Sequence, residues 1–146
     1  MPSIHDPAVR ASLETRLKAL TPHSPRRWGT MSADQMLWHV NQSLLMSLGE
    51  GGFDDGRPPM PRALLRFFVL NMPWPKSSPT HPQLVATRGH DFEAERAKCL
   101  TLIDKLVSRP IDGPWPDSPT FGPVNGRFVS RLQAKHLDHH FKQFSG

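Results

Sequence analysis

Between residues 135 and 144 the chain reads KHLDHHFKQF, placing three histidines within five positions. On an α-helix, residues four apart stack one turn above the other, so His136 and His140 can direct their imidazoles at a common point. This is the H-x-x-x-H spacing used by metal sites. His139 lies about 100° around the helix from His140 and belongs at the edge of such a site. Two histidines on one helix are half a site, and the third donor has to come from another helix. His39, in QMLWHVNQSLL, sits among Met36, Val40 and Ser43, on the side that the apolar spacing turns inward. A buried imidazole there is costly unless it is hydrogen-bonded or coordinated. Alone, such a histidine is more often a satisfied core residue; together with the pair on the later helix it completes a metal triad of His39, His136 and His140.

Three neutral histidines leave a divalent ion its full charge and at least one open position, the arrangement of a catalytic site. Water there can ionise near neutral pH, or a thiolate can be held as nucleophile. Imidazole ligands admit zinc, nickel and other first-row ions alike. Gln143, seven residues after His136, could orient a ligand or substrate, and Gln42 and Asn41 are further candidates for supporting contacts. The residue types name no catalytic acid or base.

The elements that must hold these side chains are helices. Asp6 and Pro7 open a helix over about 7–20, with Val9, Leu13, Leu17 and Leu20 at helical spacing. Ser32 and Gln35 form a capping-box pattern for a second helix ending near Gly49. Pro61 opens a short apolar helix to about Asn71. Asp91 caps a helix over 91–108, where Phe92, Cys99, Ile103 and Leu106 share a face. Asn125 caps a last helix of about 126–144, in which Phe128, Leu132, His136, His140 and Phe144 form a narrow inward stripe. The stretches 50–60, 72–89 and 109–124 read as loops, the last two rich in proline and the second as an extended surface excursion. With no strand alternation, the chain is expected to be all-α: an antiparallel four-helix bundle with a short extra helix and long proline-rich loops, in one domain.

Eighteen Lys and Arg against thirteen Asp and Glu give a net charge of +5. The basic residues are scattered, so the charge suits an anionic small molecule or a solvated surface better than nucleic acid. One cysteine, Cys99, excludes an internal disulfide and is expected in the core; with no export signal, a cytoplasmic location follows as an expectation. The longest apolar run, ALLRFFVLNM, is broken by Arg66 and falls short of the roughly 20 residues a membrane span needs. Trp28 and Trp38 are expected to pack the bundle, and Trp74 and Trp115 to form lids over a cavity mouth. His5, His23, His81 and His90 are expected in solvent. A homodimer through helix faces is compatible with a small bundle, although no exposed apolar stripe marks one.

WGTMSADQMLWHVNQSL (28–44) and FGPVNGRFVSRLQAKHLDHHFKQF (121–144) resemble the DinB-like superfamily of metal-binding four-helix bundles, in a branch of unassigned function. The superfamily includes metal-dependent hydrolases and transferases that use low-molecular-weight thiols. Its recurrent site is one histidine on the second helix, H-x-x-x-H on the last, and a glutamine three residues further. The resemblance therefore implies metal ligation by His39, His136 and His140, a supporting role for Gln143, and a small-molecule substrate or thiol as partner. Many relatives carry Arg directly after the final histidine, whereas this chain has Phe141 and Lys142.

Overall fold

A computed structural model describes residues 1–57, 59–76 and 81–144. The described residues form five α-helices, α1 (Pro7–Ala19), α2 (Ala33–Ser47), α3 (Arg62–Asn71), α4 (Phe92–Ser108) and α5 (Gly126–Gln143), with a 3-10 turn at Pro82–Leu84. There is no strand among the described residues, only an isolated bridge between Ser118 and Gly122. The caps act as their residue types require. Asp6 accepts from Ala8 N, Asp91 from Ala94 N and Asn125 from Phe128 N, and Ser32 N–H donates to Gln35 Oε1 at 3.0 Å, each satisfying a donor that a helix start leaves unpaired.

The core is built by α1, α2, α4 and α5, whose inward faces contribute Leu13 and Leu17, Met36, Leu37, Val40 and Leu44, Cys99, Ile103 and Leu106, and Leu137 and Phe141. Burying each large apolar side chain stabilises the fold by about 1.5–3 kcal/mol. α2 packs on α4 and α5, and α1 on α5 and α4. Polar pins fix their registers. Asn41 Nδ2 donates to Glu95 O (2.9 Å) between α2 and α4, and Gln133 Nε2 donates to Ser47 Oγ (2.8 Å) and Ser43 Oγ (3.2 Å) between α5 and α2. Arg16 pairs with Asp138 across α1 and α5 at 2.8 Å.

The inward face of α5 is broader than a one-in-four stripe. Val129, Ser130, Gln133, Ala134, Leu137 and Phe141 are buried beside Phe128, His136 and His140, while Leu132 is half-buried. The helix is clasped between neighbours on two sides, so a wider arc loses contact with water.

α3 differs from the others in having no buried residue. It rests on α5 through Lys135, whose Nζ donates to Val69 O (2.9 Å) and Met72 O (2.7 Å), neutralising the carbonyl end of the helix. The stretch expected as an extended excursion over 72–89 includes 77–80, outside the described residues, as is Pro58 of the 50–60 loop. Within it, His81 and Leu84 are buried and the 3-10 turn packs against α2, so this segment is a wall of the molecule.

Ile103 is fully buried at the centre of the core. Ile103→Ala should lower unfolding stability by about 2–5 kcal/mol in denaturant titration; a loss below about 1 kcal/mol would contradict this packing.

Candidate metal centre

His39 of α2 meets His136 and His140 of α5 inside the fold. All three are buried, and one ring nitrogen from each lies within 4.8 Å of the other two. The ring centroids are 4.9 Å apart for His39–His136, 4.7 Å for His39–His140 and 4.7 Å for His136–His140. The meeting follows from the helix registers, because Gln133, one turn before His136, is tied to Ser43, one turn after His39.

Neighbouring groups decide which nitrogens face inward. His39 Nδ1 lies 2.8 Å from the Leu84 carbonyl, which can only accept, so Nδ1 carries the proton and Nε2 is bare. Gln143 Nε2 donates to Trp28 O (2.8 Å), which turns Gln143 Oε1 toward His140 Nδ1 at 2.9 Å. His140 is thereby protonated on Nδ1 and also has a bare Nε2. His136 Nε2 sits 3.0 Å from His39 Nε2. A proton on His136 Nε2 can serve only one of the two bare nitrogens, whereas a single divalent ion serves all three.

The donor set fits such an ion. Metal–imidazole bonds of about 2.0–2.1 Å in a tetrahedral site hold donors about 3.3 Å apart, close to the spacing already present between His39 and His136. The imidazoles are also kept in the neutral form that ligation requires. Burial, reinforced by His140, His39 and His139, pushes His136 well below the usual histidine range. Burial and His39 push His140 down to about 3 against the bond from Gln143, and burial lowers His39 against the bond from Leu84.

No protein-family model, no curated protein and no solved structure matches the chain.

The other expected residues divide by position. His139 is half-buried and lines the cavity in front of the triad, its ring against Trp28 (5.6 Å) and Trp74 (5.5 Å). Gln143 holds His140. Asn41, about 200° around α2 from His39, points to α4 instead, and Gln42, half-buried, is not part of the cavity wall although it lies about one turn from His39. Trp74 stands over the triad as expected, 5.8 Å from the His136 ring, with its Nε1 donating to Val69 O. Trp28 also lines the cavity and does not pack the helix core. Trp115 is remote from it, edge-on to His5 at 5.9 Å and beneath the Arg109 guanidinium.

Three of the four histidines expected in solvent are engaged, and only His23 is exposed. His5 contacts Ser130 Oγ (2.8 Å) and Arg109 O (2.9 Å), tying the N-terminal segment to α5 and to the end of α4. His90 stacks on Trp38 at 5.0 Å. His81 is buried; its Nε2 donates to Asp54 O and its Nδ1 accepts from Gln83 N. His81 thus caps the 3-10 turn that carries the Leu84 carbonyl to His39. Gly29 is a further participant: at φ +83° it lies where a Cβ would come within 2.6 Å of Gln143 Nε2. Its place directly after Trp28 is the local signal for that close approach.

Gln143→Ala should weaken divalent-ion affinity by about 10- to 100-fold in calorimetric titration while the helical content is unchanged; unaltered affinity would remove Gln143 from the site. The depressed imidazoles also set an acid response of the ion-free protein. Their folded values lie below the unfolded value near 6.5, so the unfolded chain takes up more protons between the two. Stability is whole above about pH 6.5 and falls as pH drops below it, the His140 contribution being lost progressively down to about 3. A Tm unchanged between pH 7 and 5 would contradict it.

Proposed function

We propose that the protein is a metal-dependent enzyme of the DinB-like kind, a hydrolase or a thiol transferase, with His39, His136 and His140 holding one divalent ion, zinc or nickel. The observation that carries the reading is the convergence of three buried imidazole nitrogens, two of which have their lone pairs aimed inward by the Leu84 carbonyl and Gln143. On this reading the four long helices form an antiparallel bundle with α3 as the short extra helix. That arrangement is supported by the inverse order of the α2–α5 contacts, in which His39 meets His136 while Ser47, further along α2, meets the earlier Gln133.

An ion in this site would supply Lewis-acid activation, bringing water or a thiol at its open position to the reactive anion near neutral pH. The remaining work belongs to side chains of the chain itself. His39, His136 and His140 contribute Nε2 lone pairs, and the bonds at Nδ1 of His39 and His140 keep those tautomers. Trp74 and the inward side of α3 limit the access of bulk water to the cavity. His139 lines the same cavity, and its depressed basicity, caused chiefly by burial, keeps it neutral near pH 7. With an ion bound, His139 would be the cavity-lining group available to accept the nucleophile's proton and pass it to the leaving group. Cys99 has no part: it is fully buried in the core, and burial pushes its thiol up and away from the reactive form.

Elemental analysis of protein purified without nickel resin should give about one divalent ion per chain, and His39→Ala and His136→Ala should each lose it. Equal metal content in all three would defeat the triad. His139→Ala should retain the ion and lower metal-dependent turnover of an activated ester or thiol acceptor by about 100-fold; unchanged turnover would leave His139 without the proton-carrying role.

A further inference from the structure

The cavity in front of the histidines has a volume of about 900 Å³ and is walled mainly by carbon. Met46, Leu65, Val69, Phe121 and Leu132 line it, and Trp28 and Trp74 add two indole surfaces. Phe68, Met72 and Val85 also line it, yet remain 38 %, 50 % and 49 % exposed. An apolar surface is therefore kept open to solvent beside a concave site and not folded into the core, as binding surfaces are.

The charges in this cavity have one sign. Among its described lining residues there is no Asp or Glu, and the two full charges are Arg57 and Lys76. Arg57 has its Nε 3.5 Å from the Asp55 carboxylate, which also pairs with Arg62 at 3.0 Å. Lys76 has no carboxylate partner among the described residues; its Nζ lies 5.3 Å from the Trp28 ring centre. Trp28 sits edge-on to His139 at 5.6 Å, and His139 edge-on to His140 at 5.1 Å. Aromatic surface thus runs from the triad to an ammonium that has no carboxylate partner among the described residues.

We propose that the cavity takes an aromatic monoanion, its ring system laid along Trp28, Trp74 and Phe121 and its carboxylate or sulfonate paired with Lys76. An anion there gains Coulomb attraction strengthened by the apolar surroundings, and a planar body gains contact with the indole faces. A sugar phosphate or nucleotide fits less well, since its multiple charges would meet a mostly carbon wall with only Arg57 and Lys76 as charged partners. The assignment rests on the reading of this cavity as the substrate site of the metal centre, and it names the substrate class for that site.

Fluorescence titration of the full chain with anilinonaphthalene sulfonate, an aromatic monoanion, and with phenylnaphthylamine, its uncharged counterpart, tests this. The anion should bind more tightly. Lys76→Gln should weaken the anion by about three- to ten-fold and leave the uncharged probe unchanged. Leu132→Trp and Thr120→Trp, which fill the cavity from two lining residues, should each reduce binding of both probes, with circular dichroism confirming the fold. Equal affinity for the two probes, indifference to Lys76→Gln, or full binding in both filled variants would overturn the proposal. His136→Ala separates the two claims. Charge-selective binding in a wild-type chain that holds no divalent ion, and no less of one after His136→Ala, supports the aromatic anion and sinks the metal reading. Histidine-dependent metal binding without charge selection sinks the aromatic anion alone.

Discussion

Two carbonyl oxygens, one from the Leu84 backbone and one from the Gln143 side chain, take the outer N–H of His39 and His140. Each bond looks minor, yet together they decide where the polarity of the core points. An imidazole has one proton and one lone pair when neutral; holding the proton outward leaves the lone pair inward. Because burial keeps the rings neutral, the molecule carries a concentrated patch of electron-pair donors inside an otherwise apolar interior. That patch is tolerable only if something shares it, a proton incompletely or a cation fully.

The surrounding structure is arranged to keep those two oxygens in place. His81 caps the 3-10 turn that presents Leu84, and its own Nε2 is anchored to the Asp54 backbone. Gln143 is clamped by Trp28 O, and Arg27 N–H donates to the Gln143 backbone carbonyl at 2.8 Å. Gly29 makes room for this contact by having no side chain. The segments that look least regular, 27–31 and 81–85, therefore support the site as directly as the helices do. α3 completes the enclosure from the edge of the core: Val69 and Leu70 pack against the core only part-buried, Leu65 and Phe68 face the cavity, and Lys135 of α5 ties down its carbonyl end.

Local periodicity made the helices legible, with capping residues marking their starts to within a residue or two. The same periodicity made His136 and His140 legible as a pair, since one helical turn is a local property. His39 could be matched to them because its apolar neighbours point the same way. What lay outside sequence reasoning depends on contacts between segments far apart. The Leu84 carbonyl is backbone and leaves no residue-type mark. Proline-flanked Trp74 and Trp115 look alike in sequence, but one meets the triad and the other His5. His81 and His5 sit in irregular segments, which carry no helical period to mark burial; both are held by tertiary hydrogen bonds. Asn41 lies about 200° around α2 from His39 and turns to α4, whereas Gln42, about one turn from His39, stays outside the cavity wall, which its spacing does not mark.

The claim on which the rest stands is that His39, His136 and His140 bind one ion through nitrogen. X-ray absorption at the metal edge of the zinc-loaded protein tests it most directly. The account predicts three imidazole nitrogens at about 2.0–2.1 Å with one further light ligand. A shell containing sulfur from the protein, or oxygen ligands with no imidazole scattering, would contradict it.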